Sequence, residues 1–172
     1  MFEIRILIFL AVLVAGWLSP SRVSAQEAKL PEAPARHFND YAGLVSKGIA
    51  GKLDATLLQF ERRTTNQLVV AIFPKLDSSL SLETYCLRVF NHWGVGQKSV
   101  NNGVAVFVFA KDHKMRIQVG RGLETVLPDS AAQQIVDQMA ARFRNGDFDG
   151  GLSQGVLELI SRLENGAPNP VQ

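Results

Sequence analysis

Two short runs constrain this chain more than anything else in it: Gln67–Phe73 (QLVVAIF) and Gly103–Ala110 (GVAVFVFA). A strand points alternate side chains to opposite faces of its sheet. A run that is apolar at nearly every position therefore needs both faces covered. Pro74 stops the first run. Between the two lies a segment of helical spacing, with Leu82, Tyr85, Cys86, Val89, Phe90 and Trp93 on one stripe. Ser81 suits its N-cap and Gly94 its end. Strand, helix and strand in this order predict a βαβ unit with parallel strands and a right-handed crossover.

The remaining patterns build around that unit. Lys111-Asp112-His113-Lys114 reads as a tight turn. Met115, Ile117 and Val119 then alternate with Arg116 and Gln118, which predicts a half-exposed strand, antiparallel to its predecessor and near an edge. A helix is expected over Ser46–Thr65, with Ile49, Leu53, Leu57 and Phe60 inward and Ser46 as its cap. A further helix opens at Pro128-Asp129-Ser130, where Ser130 and Gln133 fit a capping box. The last starts at Asp149 or a neighbour, with Leu152, Val156, Leu159, Ile160 and Leu163 inward. His37–Leu44 is expected as a lead-in segment packed on the domain. The expected fold class is α/β: a single-domain sandwich, its sheet mixed but mostly parallel, with helices on both faces and a βαβ unit followed by an antiparallel hairpin.

The ends differ in composition. Ile6–Leu18 is apolar, Arg5 precedes it, and Val23-Ser24-Ala25 offers small residues for cleavage. Residues 1–25 are expected to be a signal peptide cut near Ala25, placing the protein in the periplasm or outside the cell. The apolar run is shorter than the roughly 20 residues of a spanning helix, and no later run reaches that length, so no transmembrane helix is expected in the mature chain. Residues 26–36 are proline-rich and polar, and are read as a disordered tether. The domain is expected over residues 37–164, and 165–172 as a loose tail. Charge is nearly balanced, 18 Lys and Arg against 16 Asp and Glu, with no basic stripe, so nucleic acid is not an expected partner. The single cysteine, Cys86, excludes an internal disulfide, and its place on an apolar stripe marks a buried thiol.

Open parallel sheets usually bind ligands at the carboxyl ends of their strands, an edge that here carries Pro74, Lys75, Lys111 and Asp112. The opposite rim is richer in polar groups: Asn66, Asn101, Asn102, Gly120, Arg121, Gly122 and Glu124. Two chemistries suit it. Asp40, Asn101, Asn102 and Glu124, with Asp129 as a fifth, are oxygen donors of the type that hard cations such as Ca2+ or Mg2+ take. Gly120-Arg121-Gly122 offers backbone N–H groups and a guanidinium to a phosphate. The same residues also read as turn formers, with Asp40 as an Asx turn and Arg121 as a surface charge. Gly151-Leu152-Ser153-Gln154-Gly155 matches a nucleophile elbow but follows no strand, and every histidine precedes it. Asp147-Phe148-Asp149-Gly150 imitates a calcium loop, yet Leu152 stands where such a loop turns on glycine. His37, His92 and His113 lack zinc spacing.

Several segments together resemble one family. Asn39-Asp40-Tyr41-Ala42-Gly43-Leu44-Val45-Ser46, Trp93-Gly94-Val95-Gly96, Asn101-Asn102-Gly103-Val104, Val119-Gly120-Arg121-Gly122-Leu123-Glu124 and Asn145-Gly146-Asp147-Phe148 with Gly151-Leu152 are similar, in order and spacing, to the TPM domain family, which is related to thylakoid-lumen acid phosphatases. The resemblance covers about Phe38 to Leu163. It implies an exported or lumenal α/β sandwich. It also implies one of three roles: phosphatase, divalent-metal binder, or accessory factor for membrane proteins. Many bacterial relatives continue into a transmembrane helix and a glycine-rich tail; this chain is expected to be a form without them. Arg121 stands where the family usually has an aromatic residue. The expectation drawn from both lines is an exported module that binds a divalent cation and serves a membrane-protein partner. The alternative is a metal-assisted acid phosphatase, an enzyme by resemblance only.

Overall fold

The computed structural model describes residues 30–76 and 79–166. The expected signal peptide, the first four residues of the tether and most of the tail lie outside the described residues. Nine elements follow in order: strand β1 (Phe38–Asp40), helix α1 (Lys47–Thr64), β2 (Gln67–Phe73), α2 (Leu82–Trp93), β3 (Gly103–Phe109), β4 (Lys114–Val119), a 3-10 turn (Arg121–Leu123), α3 (Asp129–Arg144) and α4 (Phe148–Asn165). The four strands form one sheet in the order β1-β2-β3-β4. β1 and β2 are parallel, β2 and β3 are parallel, and β3 and β4 are antiparallel. The single α/β domain with helices on both faces is thus the one the two apolar runs predict.

Strand alternation divides the core. Leu68, Val70, Ile72, Val104, Val106, Val108, Ile117 and Val119 face one side, where α1, α3 and α4 deliver Leu57, Phe60, Ile135, Met139, Leu152 and Leu159. Val69, Ala71, Ala105, Phe107 and Phe109 face the other, against Tyr85, Cys86, Val89 and Phe90 of α2. Phe60 and Phe107 are fully buried. Each such ring removed from water stabilises the fold by about 1.5–3 kcal/mol before the cost of ordering it. Gly151 and Gly155 of α4 press against Phe143 and Met139 of α3, so the imitation elbow is a helix-packing surface.

Two details differ from the sequence reading. The lead-in contains a strand, β1, too short and too polar to show alternation. It is fixed from outside its own sequence: Asp54 Oδ1 of α1 accepts the N–H of His37 (3.0 Å) and of Phe38 (3.1 Å), and His37 Nε2 bonds Glu61. The capping box at Ser130 does not form. Pro128 precedes the helix with φ −67°, and its carbonyl accepts from Ala131 and Ala132. Ser130 then lies inside the first turn, and Gln133 bonds Asp137 (2.9 Å) instead. α4 begins at Phe148, the neighbour of Asp149, as expected: Asp147 caps it through the Gly150 N–H (2.9 Å), while Asp149 accepts the N–H of Ser46 (2.9 Å). Both acids of the imitation calcium loop are committed to helix starts.

Candidate functional site at the amino-end rim

β2 and β3 run in one direction and β4 returns, so the segments before β2 and β3 and the segment after β4 share a rim. Their backbones meet closely. Asn101 sits in the left-handed region (φ 51°), and its carbonyl accepts the N–H of Gly122 (3.2 Å). Gly120 N–H donates to the Gly103 carbonyl (2.8 Å). A Cβ added to Gly103 would run into the Val95 carbonyl, and one added to Gly120 or Gly122 would run into the carbonyls of Asn101 or Val100. The rim's glycines are there because three chain segments cross at backbone distance.

Asn102 is the strut of this crossing. It is buried, 6% exposed. Its side-chain carbonyl accepts the Gln97 N–H (2.8 Å), its amide donates to the Thr65 carbonyl (2.8 Å), and its backbone carbonyl accepts from Gln67 N–H (3.0 Å). Gln67, at the start of β2, adds a second strut by accepting the Gly96 N–H (2.7 Å). Nothing in the sequence separates this role for Gln67 from that of a plain strand residue.

The five expected oxygen donors therefore do not converge. Asn101 and Glu124 share the rim, and both are exposed. The oxygen of Asn102 is already occupied. Asp40 lies at the other end of the sheet, because β1 runs parallel to β2 and pairs Asp40 with Ile72. Ile72 is five residues along β2 from the rim, about 16 Å at ~3.3 Å per residue. There Asp40 accepts the N–H of Ala42 (3.1 Å) and of Val45 (2.8 Å), which is the Asx-turn alternative. Asp129 opens α3 beside β4, in a groove with Glu83, Arg116 and Gln133. Among the described residues no group of three or more His, Cys, Asp or Glu side chains is placed to hold a metal ion. What remains on the rim is one carboxylate and one amide oxygen, with Lys98 and Arg121 exposed nearby in sequence. That set fits a largely hydrated cation held by one carboxylate, as Mg2+ commonly is, and falls short of the about six to eight oxygens of a Ca2+ cage.

The phosphate cradle is reduced in the same way. The N–H groups of Gly120 and Gly122 are both used within the fold, which leaves Arg121 alone of the three, with its guanidinium and its own N–H, to meet an anion. Cys86 offers no nucleophile: it is wholly buried, and desolvation pushes its thiol up to about 12.

An α/β sandwich with this strand order, and with these glycine crossings at one rim, defines a class, and comparison gives the class its family. The model of the TPM domain matches residues 38–162, and the chain belongs to that family. It is similar to the N-terminal domain of a P. gingivalis protein at 30% identity and a TM-score of 0.69, covering 76% of this chain and 83% of that one. Two further solved structures share the fold. The N-terminal domain of a Corynebacterium glutamicum protein has 15% identity and a TM-score of 0.60, covering 83% of this chain and 89% of that one. The BA42 protein of the psychrophilic bacterium Bizionia argentinensis has 18% identity and a TM-score of 0.60, covering 72% and 84%. Among curated protein sequences none matches this chain at a significant level.

Proposed function

We propose that this TPM-domain chain is an exported module that binds a divalent cation, Mg2+ or Ca2+, at the rim of Asn101 and Glu124 and serves as an accessory factor for a membrane protein. The observation that carries the reading is the unspent chemistry of that rim. Glu124 is exposed on the turn that follows Gly122, has no hydrogen-bond or ion-pair partner among the described residues, and stands on a backbone held rigid by the Asn101–Gly122 bond. Val100, 49% exposed, adds an apolar contact beside it for a partner. With so few protein oxygens the affinity should be weak, on the order of 10⁻⁴–10⁻³ M, the range of extracellular cation modules. The membrane-protein role rests on the family alone. Export rests on the sequence of residues 1–25, and the mass of the mature protein tests it directly.

The decisive experiment is a Mg2+ and Ca2+ titration followed by amide NMR. Shifts should be confined to Asn101 and Gly120–Glu124 and should vanish with Glu124→Gln. Shifts at Asp40 or Asp129 that persist in that variant would overturn the site. Turnover of an aryl phosphate by the pure protein, lost with Glu124→Gln, would replace the module by the metal-assisted phosphatase.

A further inference from the structure

The other end of the sheet carries a feature that owes nothing to the rim. A cavity of about 540 Å³ opens where β3 turns into β4. Its walls are apolar. Val108 and Met115 are a cross-strand pair on its floor. Phe143 from the end of α3 and Phe148 from the start of α4 close one side, their rings 5.1 Å apart and edge to face. Leu44 closes another. The volume lies within the roughly 300–1,000 Å³ of small-molecule sites, and the position is the carboxyl edge where open parallel sheets usually bind ligands.

The charge at its mouth has one sign. The lining includes His113, Lys114 and Arg144 and no acid. These three differ in how far they are spent. Lys114 acts electrostatically on Glu83, so part of its charge is answered. Arg142 of the same helix is paired with Asp147 (2.8 Å), but Arg144 is exposed and has no partner among the described residues. His113 is exposed at the hairpin tip, held in the left-handed region (φ 52°). An unanswered guanidinium above an apolar hollow is complementary to a molecule with an anionic head and an apolar body.

We propose that this mouth binds a medium-chain carboxylate, with its alkyl body against Phe143, Phe148 and Met115 and its head at Arg144 and His113. The site is independent of the cation reading above. The test is titration of the full chain with sodium decanoate, read by NMR and by calorimetry. Decanoate should shift Leu44, Val108 and Met115 and leave Gly120–Glu124 unmoved. A charge-assisted hydrogen bond is worth about tenfold or more in affinity, so Arg144→Gln should weaken decanoate by about tenfold. Decanol, which has the body without the charge, should bind the native chain about as weakly as decanoate binds this variant, and Arg144→Gln should leave decanol unchanged. Arg144 ends an exposed helix turn, so the variant should fold. Ala140→Phe, which fills the cavity from α3, should abolish both ligands. Glu124→Gln should change neither, which separates this site from the rim. Equal affinity for decanoate and decanol, shifts centred on the rim, or no shift at these residues would overturn the proposal.

Discussion

The two ends of this sheet are opposites. The amino-end rim is made of amides and glycines, yet its hydrogen bonds are nearly all spent on itself. The carboxyl-end mouth is made of Phe, Met, Leu and Val, yet the cations around it are largely unspent. Polar sequence at the rim is the chemistry of a joint, in which Asn102 and Gln67 satisfy backbone groups that three crossing segments leave over. The mouth is a cavity between elements whose residues look like ordinary core. Polarity of sequence thus does not by itself say which groups are left to meet a ligand; the groups whose hydrogen-bonding capacity is unspent do.

The strongest way to break that contrast is to add one methyl group. Gly103→Ala places a Cβ against the Val95 carbonyl, where neither backbone can yield. A loss of about 3 kcal/mol in urea unfolding is expected, the upper end for overpacking. Gly146→Ala is the control near the mouth: it has φ 76° but open space around its Cβ, so only the left-handed strain of about 1 kcal/mol applies. Equal losses in the two variants would mean that the rim's glycines serve flexibility and not close approach.

The neighbouring asparagines give the next largest effect. Asn102→Ala leaves the Gln97 N–H and the Thr65 carbonyl without partners in a buried place, and should cost about 2 kcal/mol. Asn101→Gly should change stability by less than about 0.5 kcal/mol, because glycine takes the same left-handed conformation freely. Chemical denaturation of both variants checks this. A mild Asn102→Ala would return that side chain to the pool of free oxygen donors.

Asp40 tests the separation of the edges. Asp40→Ala removes the acceptor for Ala42 and Val45 and should cost about 1 kcal/mol, as loss of a local cap does. Its response to Mg2+ should match that of the native chain, whereas Glu124→Gln should lose the response. A thermal-shift titration distinguishes them, and loss of the response in Asp40→Ala would reunite the two edges in one site.

The sequence carried the framework well because periodicity is local. The two apolar runs, the stripe Leu82–Trp93 and the alternation Met115–Val119 each declare an element and its buried face within a dozen residues, and with the right-handed crossover they leave few topologies. The shared rim of Asn101 and Gly120 followed from strand direction alone. β1 escaped because a three-residue edge strand has no period, and its anchors Asp54 and Glu61 lie on α1. Asp40 was misplaced for the same reason: without β1 there was no direction to assign it to an edge. The carboxyl edge is legible from strand direction, but the hollow at its mouth is not. Its residues come from six separate elements and loops, and only the spacing between α3, α4 and the hairpin makes a hollow of them.

The smallest expected effect lies at the mouth end, in the acid limb of stability. Asp147 accepts a hydrogen bond from Arg142 and another from the Gly150 N–H, and these hold its carboxyl below the usual aspartate range. A group with a depressed folded pKa stabilises the fold fully above its unfolded value of about 4, and that contribution is lost as pH falls through the folded value. Asp147→Asn keeps an oxygen to cap α4 but removes the charge. Urea midpoints of native and variant should therefore differ at pH 6 and converge as pH falls through the lowered folded value. The pair is exposed, so added salt should shrink the difference at pH 6. A difference that survives acid and salt alike would mean that the cap geometry carries the effect.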